Sequence, residues 1–205
     1  GDVTLRLDRC PAARGGEIVA SDPTAAPAAR VVASQGQGGV IAVALDGGDG
    51  AIVDVRDGAV VSEPLPGGGG DAVVAADLDG DCDDDLAVMR GGQLELWWRD
   101  ARTFTAGPAI AIAATALAAA DVDSDGDLDL LAGAGATVTL LRNDGVGGFA
   151  PDAGAIAAGG AITAVRALAA GDVDGDGHAD LIVAQGGAPL VALVGDPGGS
   201  GRLTL

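Results

Sequence analysis

Aspartates at alternate positions recur in three short stretches of the chain. Asp77, Asp79, Asp81, Asp83 and Asp85 stand in the first, Asp121, Asp123, Asp125, Asp127 and Asp129 in the second, and Asp172, Asp174, Asp176, His178 and Asp180 in the third. Counted from the first Asp, carboxylates fill places 1, 3, 5 and 9, Leu fills place 10, and Gly fills place 6 in two of the three. Carboxylates this close repel by about 1 kcal/mol or more per pair even in a high dielectric, so a tight loop that carries them needs a counter-charge. A hard cation supplies one. Calcium takes about six to eight oxygens at ~2.3–2.6 Å, which side-chain oxygens at places 1, 3 and 5, a backbone carbonyl at place 7 and a carboxylate at place 9 provide. Magnesium demands stricter octahedral geometry and zinc prefers His or Cys, so about three calcium ions are expected, one per loop. At place 7 the carbonyl is the expected ligand, which leaves the side chains of Asp83, Asp127 and His178 facing solvent.

Place 12 separates these loops from an EF-hand, which requires a bidentate Glu there. The chain has Val88, Ala132 and Val183 instead, inside apolar runs that begin at Leu86, Leu128 and Leu181. Such runs suit a buried strand and not the exiting helix of an EF-hand.

The acidity is local. The net charge is −19, and half of the 30 acidic residues lie in the three stretches, while the rest are nearly balanced by 11 arginines. With no basic patch to neutralise phosphates, a nucleic-acid partner is excluded. An apolar content of 48% argues against disorder. The longest apolar run, Ala109 to Ala120, is too short to cross a bilayer, so no membrane insertion is expected. A first residue of Gly1, with no initiator Met or signal peptide, fits a processed secreted protein and an excised fragment equally well. One His, no Ser-His-Asp grouping, no CxxC and no P-loop leave no catalytic constellation, and the expectation is a protein that is not an enzyme.

The elements that position the loops repeat with them. Asp77, Asp121 and Asp172 are 44 and 51 residues apart, and the two Phe residues, Phe104 and Phe149, follow their loops by 27 and 28. Repeats of this length are supersecondary units stacked on copies of themselves. The clearest unit reads as four strands, Thr115 to Ala120, Asp129 to Ala132, Thr137 to Leu141 and one near Phe149, with the acidic loop joining the first two and Asn143-Asp144-Gly145 turning the chain between the last two. The alanines of 109 to 120 favour helix on propensity. The matching segment Gly159 to Val165, rich in glycine and β-branched residues, favours strand for both.

A first unit is present without its carboxylates. Val40 to Ala44 and Ala51 to Val55 read as its strands, and the loop Ser34 to Gly39 has no acid, so no metal is expected there. The units fall at about residues 29–66, 71–108, 115–154 and 162–205. Residues 1–28 form an N-terminal extension with an alternating strand at Asp2 to Leu7, a second at Glu17 to Ala20, and a proline linker to Pro27. Gly67 to Gly70 reads as a flexible linker between units.

With Ala-x-Asp-x-Asp-x-Asp-Gly-x-x-Asp-Leu at Ala119 to Leu130 and at Ala170 to Leu181, and with Leu-Arg-Asn-Asp-Gly-Val-Gly-Gly-Phe at Leu141 to Phe149, residues 29–205 resemble the FG-GAP or VCBS repeats. Those repeats occur in integrin α-subunit propellers and in many bacterial secreted proteins. The resemblance implies an all-β β-propeller of about four four-stranded blades, with calcium between the first and second strands of three of them. It also implies a secreted or cell-surface location. Four blades against about seven in family propellers leave two forms open, a four-bladed ring and an arc that needs a partner.

Cys82 stands where the loop favours Gly at positive φ, a strain of about 1 kcal/mol. Cys10 and Cys82 form one disulfide or remain two thiols. Trp97 and Trp98 alternate faces on a strand, so at most one is expected in the core, with the other at a rim contact between blades or stacked on a sugar. Two roles follow as expectations. One is a structural, protein-interaction or fibre-assembly module that adds its N-terminal strand to another subunit; the other is a lectin-like adhesive domain that binds surface glycans or a matrix protein.

Overall fold

Glycine-marked turns cut each repeat into segments too short for helices, and the β-branched and leucine-rich runs between them pair as antiparallel strands. The computed structural model describes residues 20–21, 29–33, 41–45, 50–56 and 59–205, and these contain strands and turns without a helix. The strand expected at Asp2 to Leu7, most of the proline linker, the acid-free loop from Ser34 to Gly39, and Cys10 lie outside the described residues.

Four sheets follow one another along the chain. The first contains β1 (Ala20–Ser21), β2 (Ala29–Ala33), β3 (Ile41–Leu45), β4 (Gly50–Arg56) and β5 (Ala59–Pro64), in that order across the sheet. The second contains β6 (Ala72–Ala76), β7 (Asp85–Arg90), β8 (Gln93–Asp100) and β9 (Thr103–Ala111). The third contains β10 (Ala116–Ala120), β11 (Asp129–Ala134), β12 (Thr137–Asn143) and β13 (Phe149–Asp152). The fourth contains β14 (Ile156–Ala157), β15 (Val165–Gly171), β16 (Asp180–Gln185), β17 (Val191–Gly195) and β18 (Leu203–Thr204). Within it, β14 breaks the meander by pairing parallel with β18, Ile156 opposite Leu203. The Leu203 N–H also donates to the Ala155 carbonyl at 2.8 Å, which fastens the exit of the third sheet to the edge of the fourth.

The alanine-rich stretch is strand at both ends, with β9 reaching Ala111 and β10 starting at Ala116. Pairing decides it. Ala116 to Ala120 lie opposite Gly133 to Asp129, and their small side chains let β10 sit buried close to β15 and β6.

Each inner sheet is covered on both faces, which is why its strands read as continuous apolar runs. Leu86 packs in the core between the first and second sheets with Ile52, Leu65 and Val88. Its neighbour Ala87 faces the core between the second and third, with Met89, Leu94 and Leu130. Leu131, next to Leu130, faces the core between the third and fourth, with Leu140, Leu181 and Leu193.

Double cover corrects the expectation for the tryptophans. Trp97 packs with Phe104 against the first of these cores and Trp98 with Phe149 against the second, so both rings lie between sheets. Trp98 also crosses to the next sheet's turn, where a Cβ on Gly147 (φ +83) would meet the ring. Neither ring is left free as a platform for a sugar.

The glycine linker is corrected as well. Arg90 donates from Nε to the Gly69 carbonyl at 2.9 Å, and from Nη2 to the carbonyls of Gly68 at 2.6 Å and Pro66 at 3.1 Å, while its other nitrogen pairs with Glu95. A guanidinium with this many fixed acceptors holds the turn in one shape.

The last sheet differs from the others on one face. Leu78, at place 2 of the first acidic loop, is 0% exposed in the core shared with the third sheet. Val122, at the same place in the second loop, is 3% exposed in the core shared with the fourth. Val173, at that place in the third loop, is 63% exposed. Beside it Ala167, Ala169 and Ala192 are exposed and Ile182 and Val194 half-buried, an apolar face without cover among the described residues. At the other end of the array β2 pairs antiparallel with β3, Ala29 opposite Leu45, Val31 opposite Val43 and Ala33 opposite Ile41.

Burial on one side only sets the cost of truncation. Leu78→Ala is expected to destabilise by about 2–5 kcal/mol and Val173→Ala by no more than about 0.5 kcal/mol. Urea unfolding of the two variants measures the difference, and equal losses would contradict the uncovered face.

Candidate metal centre

The acidic loops take their shape from their own carboxylates. At place 1, Asp77 accepts the N–H of Gly80 at 2.9 Å on Oδ1 and that of Cys82 at 3.2 Å on Oδ2. Asp172 does the same for Gly175 at 2.7 Å and Gly177 at 3.0 Å, and Asp121 for Asp125 at 3.1 Å and Gly126 at 3.0 Å. At place 5, Asp81, Asp125 and Asp176 accept the N–H two residues on. These successive Asx turns force places 4 and 6 to positive φ. Glycine meets that demand at Gly80, Gly126, Gly175 and Gly177, and Ser124 (φ 60) and Cys82 (φ 78) meet it under strain. Strain at place 4 had no sequence signal, because Ser is a common turn residue. Cys82 is held in a disulfide, whose other half lies outside the described residues.

Place 9 joins the loop to its sheet. Asp85 is buried and accepts the Leu78 N–H at 2.9 Å on Oδ2 and the Arg99 N–H at 2.8 Å on Oδ1. Asp129 accepts from Val122 at 3.2 Å and Asn143 at 2.9 Å, and Asp180 from Val173 at 2.8 Å and Gly195 at 2.8 Å. One carboxylate thus clamps place 2 to a strand end, at Arg99, Asn143 or Gly195, in each of the last three sheets. Asn143 extends the clamp between sheets, since its Nδ2 donates to the carbonyls of Leu78 at 2.8 Å and Leu128 at 2.9 Å. In the sequence Asn143 reads only as a turn residue; nothing local marks a contact that reaches back to the preceding loop.

Three carboxylate groups result, each with oxygens within 4.8 Å of one another: Asp77, Asp79 and Asp85; Asp121, Asp123 and Asp125; Asp172, Asp174 and Asp180. Such groups are able to hold a metal ion. In the second, Asp123 Oδ1 is buried without a hydrogen-bond partner, a cost of about 1–3 kcal/mol that a cation would remove.

The other candidate residues stand outside these groups. Asp129 is drawn toward Arg142 at 3.6 Å; Asp81 and Asp176 accept the place 7 N–H, as Asp125 also does within its group, so that bond does not account for their place. The expectation that place 7 side chains face solvent is corrected. Asp83 accepts the Ala101 N–H at 2.7 Å, Asp127 lies against Gly145, and His178 Nδ1 meets the Ser124 hydroxyl at 3.1 Å. The last contact ties the second loop to the third.

Desolvation dominates the electrostatics. It pushes Asp85 up to about 7, against the N–H bonds of Arg99 and Leu78 and with added repulsion from Asp79 and Asp81. Asp129 is pushed up to about 6, again chiefly by burial, with Arg142 among the groups that oppose it. Asp77, Asp79 and Asp121 are raised by burial too. Asp180 goes the other way, because desolvation, though its largest influence, is outweighed by the N–H groups of Gly195, Val173 and Asp174.

These shifts have a sign. A carboxyl raised in the fold binds its proton more tightly there than in the unfolded chain, so its ionisation destabilises the metal-free fold as pH climbs from about 4 through about 7. Asp180 contributes the opposite change only below the ordinary carboxylate range. In a chelator the chain is therefore expected to melt higher at pH 5.5 than at pH 7.5, with Asp85→Asn flattening the difference; thermal melts that rise toward pH 7.5 would contradict this.

Two family profiles match the chain. The FG-GAP-like repeat matches residues 77–132 and 121–183, and the FG-GAP repeat matches residues 164–205. Among curated proteins, none matches the chain significantly.

Proposed function

Because the chain belongs to the FG-GAP repeat family, we propose that it is a calcium-stabilised β-propeller module that works outside the cell by holding protein partners and not by catalysis. One repeated joint carries this reading. The first two acidic loops each place an apolar residue in the core shared with the following sheet, and among the described residues the last copy of that joint, at Val173, is unfilled.

Calcium belongs at the joint because the loop's charge does. Asp77, Asp79 and Asp85 hold one ion, Asp121, Asp123 and Asp125 a second, and Asp172, Asp174 and Asp180 a third. Bound there, the ion supplies the counter-charge that lets neighbouring carboxylates keep accepting backbone N–H groups. At about 100 times its Kd each ion adds about 2.7 kcal/mol, and three together approach the whole stability of a domain. Removal by a chelator at neutral pH is expected to lower the melting temperature by tens of degrees; a shift below about 5 °C would sink the structural role of calcium.

The partner proposed for the face left uncovered among the described residues is the first sheet of a second copy, whose strands β2 and β3 pair at the other end of the array and are mostly apolar in sequence. Such head-to-tail contacts close rings or extend as filaments. Light scattering of the full chain in calcium is expected to give dimers or longer species that Val173→Asp returns to monomer. A wild-type monomer at high concentration overturns this partner, and ring closure within one chain is then the remaining form.

A further inference from the structure

Two contacts run from the second acidic loop to the third. Ser124 stands between Asp123 and Asp125, two members of the second carboxylate group, and holds a positive φ of 60°. Its hydroxyl meets His178 Nδ1 at 3.1 Å. His178 is the place 7 residue of the third loop, and its own N–H is fixed by Asp176 at 2.8 Å. The strained residue of one loop thus leans on a fixed residue of the next.

The turn between β17 and β18 makes the second contact. At its start Gly195 donates its N–H to Asp180, a member of the third group, at 2.8 Å. A Cβ on Gly195 would meet the Ala179 carbonyl oxygen at 2.7 Å and His178 Cβ at 3.2 Å, so glycine lets the turn sit this close to the loop. The Asp196 N–H closes the turn on the Arg202 carbonyl at 3.0 Å. At its far end the Gly201 carbonyl accepts Arg142 Nη2 at 2.5 Å, and Arg142 Nη1 lies 2.8 Å from Asp123. One turn therefore holds a carboxylate of each group.

Resting on the calcium reading above, we infer that the second and third loops bind calcium as a coupled pair, each raising the affinity of the other, with the contact between Ser124 and His178 as a main carrier. Each loop must be ordered before its carboxylates converge, and ordering costs conformational entropy. With the third loop occupied, His178 is fixed and holds Ser124 at its strained φ, and with it the carboxylates on either side. The second site is then met already ordered. The effect runs equally in reverse, because coupling between two binding sites is reciprocal.

Site-resolved NMR titration of the full chain with calcium, at one fixed pH, tests this. The amide of Gly126, bonded to Asp121, reports the second loop, and that of Gly177, bonded to Asp172, reports the third. Asp174→Ser weakens the third site yet keeps an oxygen for the Asp176 N–H, and Asp125→Ser does the same in the second for the Asp127 N–H. Asp174→Ser is expected to move the Gly126 midpoint to at least about fivefold higher calcium, and Asp125→Ser to move the Gly177 midpoint by the same factor. Ser124→Gly suits the positive φ but removes the hydroxyl. With both substitutions repeated in that background, the factor is expected to fall at least about twofold. A Gly126 midpoint that Asp174→Ser leaves in place overturns the coupling, and a factor that Ser124→Gly leaves unchanged overturns the part given to Ser124 and His178. Both outcomes spare the calcium reading, whereas calcium that moves neither amide in the wild type overturns that reading and the inference together.

Discussion

The carboxylates of the acidic loops do two jobs whose electrostatic demands conflict. They accept backbone N–H groups, which fixes the turns, favours the ionised form and draws them partly out of water. That same burial, and the closeness of their neighbours, penalises the charge. Asp85 shows the conflict most sharply, since it is fully buried, clamps the N–H groups of Leu78 and Arg99, and is pushed up to about 7. The loops therefore combine dense hydrogen bonding with crowded charge, and the rest of the fold depends on how those two demands are balanced.

What hangs on the loops is the stacking of the sheets. Place 9 clamps place 2, and place 2 supplies the side chain that enters the next core, as Leu78 and Val122 do. Asn143 adds a polar link at the same joint by capping the carbonyl of Leu78. A change in the charge state of one carboxylate is thus felt as a change in packing between two sheets. Electrostatics and hydrophobic burial are coupled here through a few backbone hydrogen bonds.

Much of this was legible in the residues themselves. Turn glycines and the recurrent aspartates marked the strands of the last three sheets, and the repeat explained why an alanine run such as Ala116 to Ala120 forms a strand despite its helical propensity. Legibility stopped where distant parts meet. Arg90 reaches carbonyls more than 20 residues away, and Asn143 bonds a residue 65 positions earlier. The pair Trp97 and Trp98 misled for a related reason, because alternation separates a wet face from a dry one only when a sheet has a wet face. Within the loops the acids were visible as a set, yet the division of labour among places 1, 5 and 9 depends on φ angles at places 4 and 6 that a Ser or a Cys conceals.

The parallel pairing of Ile156 with Leu203 gives the chain an order of assembly. In the second and third sheets each strand pairs with its immediate successor, so both are able to form from local hairpins as the polypeptide lengthens. The fourth cannot finish that way. Its strand β14 precedes the other four in the chain and waits for β18, which completes the sheet by reaching back across all of it. Until residues 203–204 arrive, Ala155 lacks its Leu203 partner and one side of β14 is unpaired. The last sheet is thus a latch that closes late, and its closure secures the end of the sheet before it.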